Sequence, residues 1–575
     1  MPAPFFWLPL LAGLVGPLQD DAAPTTPLLD HAALGTALAE IADSHPDQVT
    51  KSLVETSRGG RSIELLTIGT GETNERMARP GILIVAGTDG SHAYTSGIAV
   101  SQARALASGY GSDDAVTALL DTTTVYIVAR MNPDACEGRF GAPLAVVRGT
   151  GHGIDNDRDG RNGEDDHADV NADGFITMMR VPDPTGQWIS DPTNERAMVE
   201  ADRDKGERGM WKLVTEGLDD DGDEEVAEDP VRDAEVNRNF AHDWNEHGAE
   251  AGLFPTDEPA VRGMCELMLR LPNVQLVLTY GQLDNLIGKP KSVKDNAPAT
   301  HRVPPLGVME SDVKLIEQIS KGYKTLTGDK CEGASKDGSG TFQTWAYTHR
   351  GVLTLNIDPW CIPLDAKEKA EEGDEGDGDE EEEEEEEEKS KDAPKPSDDA
   401  KRLIWCDNEG EGARHLGWTE FDHPTLGAVE IGGFAPYALV EPPDAVRAKI
   451  EAKQQEFLLT LGAKLARIEL KEAEARDLGG GLLEVTAALE NDSFLPLFSR
   501  SGRRARTQRP ARVLLELPVG ATMLAGSRQT LVSELAGSGG RREFRWLVQG
   551  ADASAISISV STIHAGSSSV TPEVK

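Results

Sequence analysis

Four short apolar runs, set apart by stretches of helical periodicity, constrain this chain more than any other feature. They are Gly-Ile-Leu-Ile-Val-Ala-Gly at residues 81–87, Thr-Val-Tyr-Ile-Val-Ala at 124–129, Val-Gln-Leu-Val-Leu-Thr at 274–279 and Val-Leu-Thr-Leu-Asn-Ile at 352–357. Such runs suit strands buried on both faces. Helical periodicity over residues 31–52 and 97–109, with an alternating strand at 62–68 between them, completes a strand and helix rhythm. The pattern predicts a three-layer α/β fold with a mostly parallel, mixed central sheet covered on both faces. In open sheets of this kind, sites gather at the carboxyl ends of the strands.

At 575 residues the chain is too long for one compact core. A helical segment at 445–465 closes a first domain expected over residues 28–465. From residue 466 the pattern turns to short strands such as Leu-Leu-Glu-Val-Thr-Ala-Ala-Leu and Ala-Ile-Ser-Ile-Ser-Val-Ser-Thr-Ile, which predict a β-sandwich over residues 466–575. The Arg-rich stretch at 500–506 reads as a solvated hairpin. Residues 5–18 are apolar and precede Asp20 and Asp21, although no Lys or Arg stands before them. That length suits a signal-peptide core and falls short of a membrane span, so residues 1–22 are expected to be a signal peptide and the protein exported, with no transmembrane span. The five cysteines form no Cys-x-x-Cys pair, which indicates neither a zinc knuckle nor a disulfide scaffold.

The formal net charge of −42 is concentrated in two places. Residues 371–388 hold 15 carboxylates and no base, and residues 155–235 hold 26 acidic against 9 basic side chains. Residues 366–402 cannot bury enough apolar surface to offset chain entropy and are expected to be a disordered, solvated loop. So acidic a chain is unsuited to nucleic acid, because phosphate binding needs cations at the surface; divalent cations are the natural partners.

The first acidic insert, residues 150–235, carries an internal repeat. Gly-Ile-Asp-Asn-Asp-Arg-Asp-Gly at 153–160 and Gly-Leu-Asp-Asp-Asp-Gly-Asp-Glu at 217–224 share one pattern, each followed by Glu-Asp at the same offset, and Asp-Val-Asn-Ala-Asp-Gly at 169–174 lies between them. Oxygen donors at alternate positions turn toward one point, as in calcium loops. The candidate calcium ligands are Asp155, Asp157 and Asp159, then Asp169, Asn171 and Asp173, then Asp219, Asp221 and Asp223. Arg180 stands at the twelfth position of the middle loop, and Glu224 replaces the glycine of the last. The bland alternative is a solvated acidic loop.

Six motifs then occur in order: Ser-Arg-Gly-Gly-Arg-Ser-Ile at 57–63, Asn-Pro-Asp at 132–134, Val-Asn-Arg-Asn-Phe at 236–240 followed by Trp244, Phe-Pro-Thr-Asp-Glu-Pro at 254–259, Gly-Thr-Phe-Gln-Thr-Trp-Ala-Tyr at 340–347, and Gly-Ala-Val-Glu-Ile-Gly-Gly at 427–433. Together they resemble the zinc metallocarboxypeptidases of the carboxypeptidase A/B type across residues 30 to about 465, with the C-terminal β-domain outside the resemblance. The resemblance implies a carboxypeptidase-like fold, a zinc ion held by a His-x-x-Glu pair and a later His, a glutamate base near the last strand, and peptide C-termini as ligands. Asn237 and Arg238 match the pair that binds a free C-terminal carboxylate, the alternative for Arg238 being a structural salt bridge with one of the many nearby acids; Arg148 is the candidate for polarising the scissile carbonyl with Arg139 the alternative, and Gln343 falls near the side-chain pocket.

The metal half departs from that pattern. Asp89 and His92 stand at the His-x-x-Glu positions, Tyr280 stands where the later His is expected, and Asp358 replaces the base. A phenol is a poor zinc ligand at neutral pH, and an Asp is one methylene shorter than a Glu. Asp284 is a candidate to replace the missing ligand. The leading expectation is a family member that recognises peptide C-termini and hydrolyses them weakly or not at all. The alternatives are an active metallocarboxypeptidase with a non-standard ligand set, in which Asp358 is the base, and a non-catalytic, calcium-binding exported scaffold.

Overall fold

The structure, a computed structural model, describes residues 26–151, 165–222, 225–227, 234–296, 304–328, 333, 335–364 and 395–575. The expected signal peptide, Asp155, Asp157, Asp159, Asp223 and the Glu-rich run at 371–388 lie outside the described residues.

The central sheet has six strands in the order Val49–Thr56, Ser62–Ile68, Thr124–Val128, Gly81–Val85, Val274–Tyr280, Leu353–Ile357. Its first two pairings are antiparallel and the remaining three parallel. The apolar runs explain why. Successive side chains of a strand point to opposite faces, so Ile82, Ile84, Leu276 and Leu278 enter one core with Ile98, Leu106 and Phe457, while Leu83, Val85 and Val277 enter another with Val261, Met264 and Phe342. Helices Thr95–Gly109 and Asp444–Gly462 cover the first face and Pro259–Arg270 the second. Each fully buried Leu, Ile or Val contributes about 1.5–3 kcal/mol of hydrophobic burial, so the middle strands anchor the domain.

Several local expectations are corrected. Helical periodicity over residues 31–52 gives a helix only at His31–Ser44; Pro46 follows, and the β-branched residues beyond it form strand Val49–Thr56. The insert is more than a set of loops. Strands Met178–Pro182, Trp188–Asp191, Asn194–Glu200 and Trp211–Thr215 join His415–His423 and Gly427–Phe434 in a second six-stranded sheet. The solvated stretch ends before residue 402, because helix Asp398–Glu409 begins there under a Ser397 cap. Cys361 is disulfide-bonded, whereas Cys136, Cys265 and Cys406 are free.

The C-terminal region is a β-sandwich of a five-stranded and a four-stranded sheet. Val485, Leu489 and Val548 of one sheet meet Val513, Ile558 and Val560 of the other in a core of their own. Its Arg-rich segment is not a hairpin: Arg500–Ala505 is a short helix capped by Ser499 and docked on the first domain.

Candidate functional site

Strand Gly81–Val85 delivers the chain to the carboxyl edge of the sheet, where Gly87 adopts φ +54° and a helical turn, Gly90–His92, follows. Asp89 caps that turn by accepting the His92 amide at 3.1 Å. Its Oδ1 also accepts the Ser91 hydroxyl at 2.6 Å and lies 2.8 Å from His92 Nδ1, while Oδ2 accepts the Gln282 amide and the Thr88 hydroxyl, both at 3.2 Å. On its other side, His92 Nε2 is 3.6 Å from Asp358 Oδ1, just past the end of strand Leu353–Ile357. All three side chains are buried. Burial opposes ionisation of Asp89, but His92 and its hydrogen-bond donors outweigh this and hold the carboxyl well below the usual range. Burial likewise opposes charge on His92, yet Asp89 and Asp358 push it up to about 10. His92 thus sits between the side chains of Asp89 and Asp358, with its Nε2 and Asp358 Oδ1 buried and making no hydrogen bond.

Tyr280 and Asp284 do not join this group. Tyr280 points to the face covered by helices Thr95–Gly109 and Asp444–Gly462, where its hydroxyl accepts from Gln102 at 2.9 Å. The next residue, Gly281, faces Asp89: a Cβ there would lie 2.8 Å from Asp89 Oδ2 and 2.1 Å from the Thr88 hydroxyl. Asp284 Oδ1 accepts the amides of Leu286, Ile287 and Gly288 and so fixes its own loop.

A cavity of about 220 Å³ is lined by residues that include Leu283, Asn356, Gln343, Tyr347 and Asp337, and by none of Asp89, His92 and Asp358. Gln343 is 1% exposed, and its amide oxygen makes no hydrogen bond. Asn237 is buried and accepts the Phe342 amide at 2.9 Å, so it supports the cavity wall. Arg238 Nη1 donates to Asp337 Oδ2 and to the Asp337 carbonyl, both at 3.0 Å. The Asp337 side chain is 61% exposed against 13% for Arg238. The guanidinium thus meets a solvent-facing carboxylate at the rim. Arg139 is occupied elsewhere, on Glu441 at 2.7 Å and against the Tyr437 ring. Arg148 is exposed, and its field reaches Glu235 together with that of Arg238.

Glu235 and His242 belong to this region and escaped the sequence reading. Burial pushes the Glu235 carboxyl up to about 7, against the pull of Arg148 and Arg238. Burial, with His349 beside it, pushes His242 down to about 4 on the cavity wall. One carboxylate among 26 in the insert gives no signal, although adjacency to Val-Asn-Arg at 236–238 marked Glu235 out.

Residues 35–365, more than half of the chain, match the family model described as zinc carboxypeptidase. The chain belongs to the zinc carboxypeptidase family. Residues 467–573 match a domain of unknown function. Similar solved structures include carboxypeptidase A from Helicoverpa armigera, 15% identical with a TM-score of 0.35 over 58% of this chain and 65% of that one. Bovine thrombin-activatable fibrinolysis inhibitor in complex with tick carboxypeptidase inhibitor is 12% identical, with a TM-score of 0.33 over 58% and 86%. A metallo-carboxypeptidase from Burkholderia cenocepacia is 14% identical, with a TM-score of 0.29 over 57% and 59%. The chain therefore spans less than two thirds of the first and third of these. No curated protein matches it.

A zinc carboxypeptidase implies zinc, and the residues present do not fit it. Ligands must aim lone pairs at one point about 2.0–2.2 Å away. Here both Asp89 oxygens accept hydrogen bonds, from Thr88, Ser91, His92 and Gln282, and among the described residues no third donor converges on His92 Nε2 and Asp358 Oδ1. The next strand offers a glycine at the position facing Asp89.

In the insert, Asp169, Asn171 and Asp173 curl around their own backbone: Asp169 accepts the amides of Asp173 and Gly174, and Asp173 accepts that of Phe175. Asp219 and Asp221 lie in a separate cluster with Asp165.

Proposed function

We propose that this zinc carboxypeptidase relative recognises the C-terminal segment of a peptide or protein at the cavity beside Arg238 and Gln343, and that hydrolysis there is weak or lost. The observation that supports this reading is that Asp89 is held by its own hydrogen-bond donors and Gly281 stands opposite it, so that His92 Nε2 and Asp358 Oδ1, 3.6 Å apart and without hydrogen bonds, find no third converging donor among the described residues. Asn237 and Arg238 serve as the clamp for the terminal carboxylate. Arg238 already holds an exposed carboxylate, that of Asp337, and a planar guanidinium suits a second such group through paired donors. Gln343 then offers its buried amide oxygen to a donor on the terminal side chain. Arg148, exposed beside Glu235, is assigned to the penultimate carbonyl, and Asp358 would be the base in any residual hydrolysis.

The acidic insert is read as a calcium-binding element on the strength of its repeated Asp-rich loops. Export is supported by the apolar stretch at 5–18 and by the disulfide at Cys361, which suits an oxidising compartment. Among the described residues, no helix is long and apolar enough to cross a membrane.

The test pairs binding with metal analysis. Peptides with a free C-terminus are expected to bind, and their amidated counterparts are not. The protein as isolated is expected to contain substoichiometric zinc and to release no residues from a peptide library. Equal affinity for both peptide forms removes the clamp, and stoichiometric zinc with release of C-terminal residues overturns the loss of hydrolysis.

A further inference from the structure

Asp165 is 0% exposed, an unusual place for a carboxylate. Its Oδ1 accepts the Asp220 amide at 2.7 Å, and its Oδ2 is buried with no hydrogen bond. An ionised oxygen withdrawn from water without donor or cation is strongly unfavourable, so the arrangement calls for a positive ligand. Asp219 and Asp221 each bring a carboxylate oxygen to the same place, and the three oxygens lie within 4.8 Å of one another. Two oxygens on opposite sides of a calcium ion, each at about 2.4 Å, are about 4.8 Å apart. An all-oxygen set of carboxylates suits a hard cation such as calcium.

The geometry points to a calcium site made by Asp165, Asp219 and Asp221. It rests on the reading of the insert as a calcium-binding element but assigns a ligand set that no single loop supplies. Asp219 and Asp221 come from the last copy of the repeat, whereas Asp165 is the closing residue of the Glu-Asp pair after the first copy. The loop bends at Gly222, φ +88°, whose amide donates to Asp219 Oδ1 at 2.7 Å. This turn comes two residues before the position at which a calcium loop of the usual spacing carries its glycine.

The fold brings the two copies together. His167 bridges Gly217, the Ala168 amide donates to the Glu216 carbonyl at 3.0 Å, and the buried Glu216 carboxylate accepts the amides of Val170 and Thr177. Calcium at this point joins the outgoing arm of the insert to the returning one. The arms also meet at the base, where the Thr150 amide donates to the Ala234 carbonyl at 3.0 Å. Arg148 lies just before that junction and Asn237 and Arg238 just after it, so the ion orders the insert between the two halves of the clamp.

Calorimetric titration of chelator-stripped, full-length protein with calcium chloride tests this, with the melting temperature followed in parallel. Saturable uptake and a melting temperature that rises with calcium concentration are expected. Asp165→Asn keeps an acceptor for the Asp220 amide and is expected to lose one calcium equivalent together with most of the thermal shift. Asp221→Asn, at an exposed position, gives the same readout should the buried substitution fail to fold. Asp169→Asn in the middle loop is expected to leave this equivalent in place. Wild-type uptake with full stoichiometry in both the Asp165 and Asp221 variants overturns the composite site and leaves the calcium reading of the insert standing. No uptake by wild type overturns both. Equal response to magnesium overturns the choice of ion.

Discussion

Glu235 is pulled in two directions, by burial toward the neutral acid and by Arg148 and Arg238 toward the carboxylate, and burial prevails. Its pKa rises from 4.5 to about 7, so the folded protein holds the proton more tightly than the unfolded chain does. The stabilisation from that proton is complete below about pH 4.5 and is lost as the pH climbs through about 7. Urea midpoints of wild type are therefore expected to fall between about pH 5 and about pH 8, and Glu235→Gln, which carries no titrating proton, is expected to flatten that part of the profile. Parallel profiles for the two proteins would refute the shift. His92 and the two acidic residues beside it show what residue types alone convey. Asp89, His92 and Asp358 are legal as ligands and base from their chemistry, but only the fold shows that they engage one another. Tyr280 is instructive in a different way. Strand alternation places it and Gly281 on opposite faces, so the direction of its side chain was legible in principle, whereas the facing strand that decides which face carries the site was not.

At the scale of elements, the turn after strand Gly81–Val85 is closely packed as well as hydrogen-bonded. A Cβ on Gly90 would lie 1.9 Å from the Val147 carbonyl oxygen and 2.8 Å from Ala135 Cβ. Backbone lies in the way, so no rotamer change relieves the contact. Gly90→Ala is expected to destabilise the protein by about 1–3 kcal/mol, the usual range for overpacking, read as a lower urea midpoint with unchanged far-ultraviolet circular dichroism. An unaltered midpoint would show the turn to be pliable. The all-apolar strands were legible because burial on both faces leaves a signature within five residues. The insert sheet was not: Trp188–Asp191 and Trp211–Thr215 are short and only partly buried, and the sheet joins residues beyond 415 through Met178–Pro182 on Gly427–Phe434, a contact distant in sequence. Helix Arg500–Ala505 was missed for a related reason. Its six residues are too few to be helical alone, and beside its own Ser499 cap the group that takes its first two amides belongs to another domain.

That group is Asp312, and at the scale of the whole molecule it ties the sandwich to the cavity. From helix Glu310–Thr327 it accepts the Arg500 amide at 2.8 Å, the Ser501 amide at 3.0 Å and the Tyr347 hydroxyl at 2.7 Å. A carboxylate at the start of a helix is favoured by the amides it satisfies and by the helix dipole. Tyr347 lines the cavity, so one buried side chain connects the C-terminal domain to the wall of the binding site. The contact leaves little slack, because a Cβ on Gly351 would lie 2.2 Å from Gly502 Cα. Asp312→Ala strands two amides and takes the acceptor from the Tyr347 hydroxyl, which keeps only the Met309 amide at 2.8 Å, and each buried group left unpaired costs about 1–3 kcal/mol. Wild type is expected to melt in one calorimetric transition. The variant is expected to melt in two, with the sandwich released from the first domain before either unfolds fully. Weaker binding of free-carboxylate peptides should accompany the split, since Tyr347 loses its anchor, whereas a single transition at the wild-type temperature would mean that the domains cohere through other contacts and that the sandwich does not act on the cavity through Asp312.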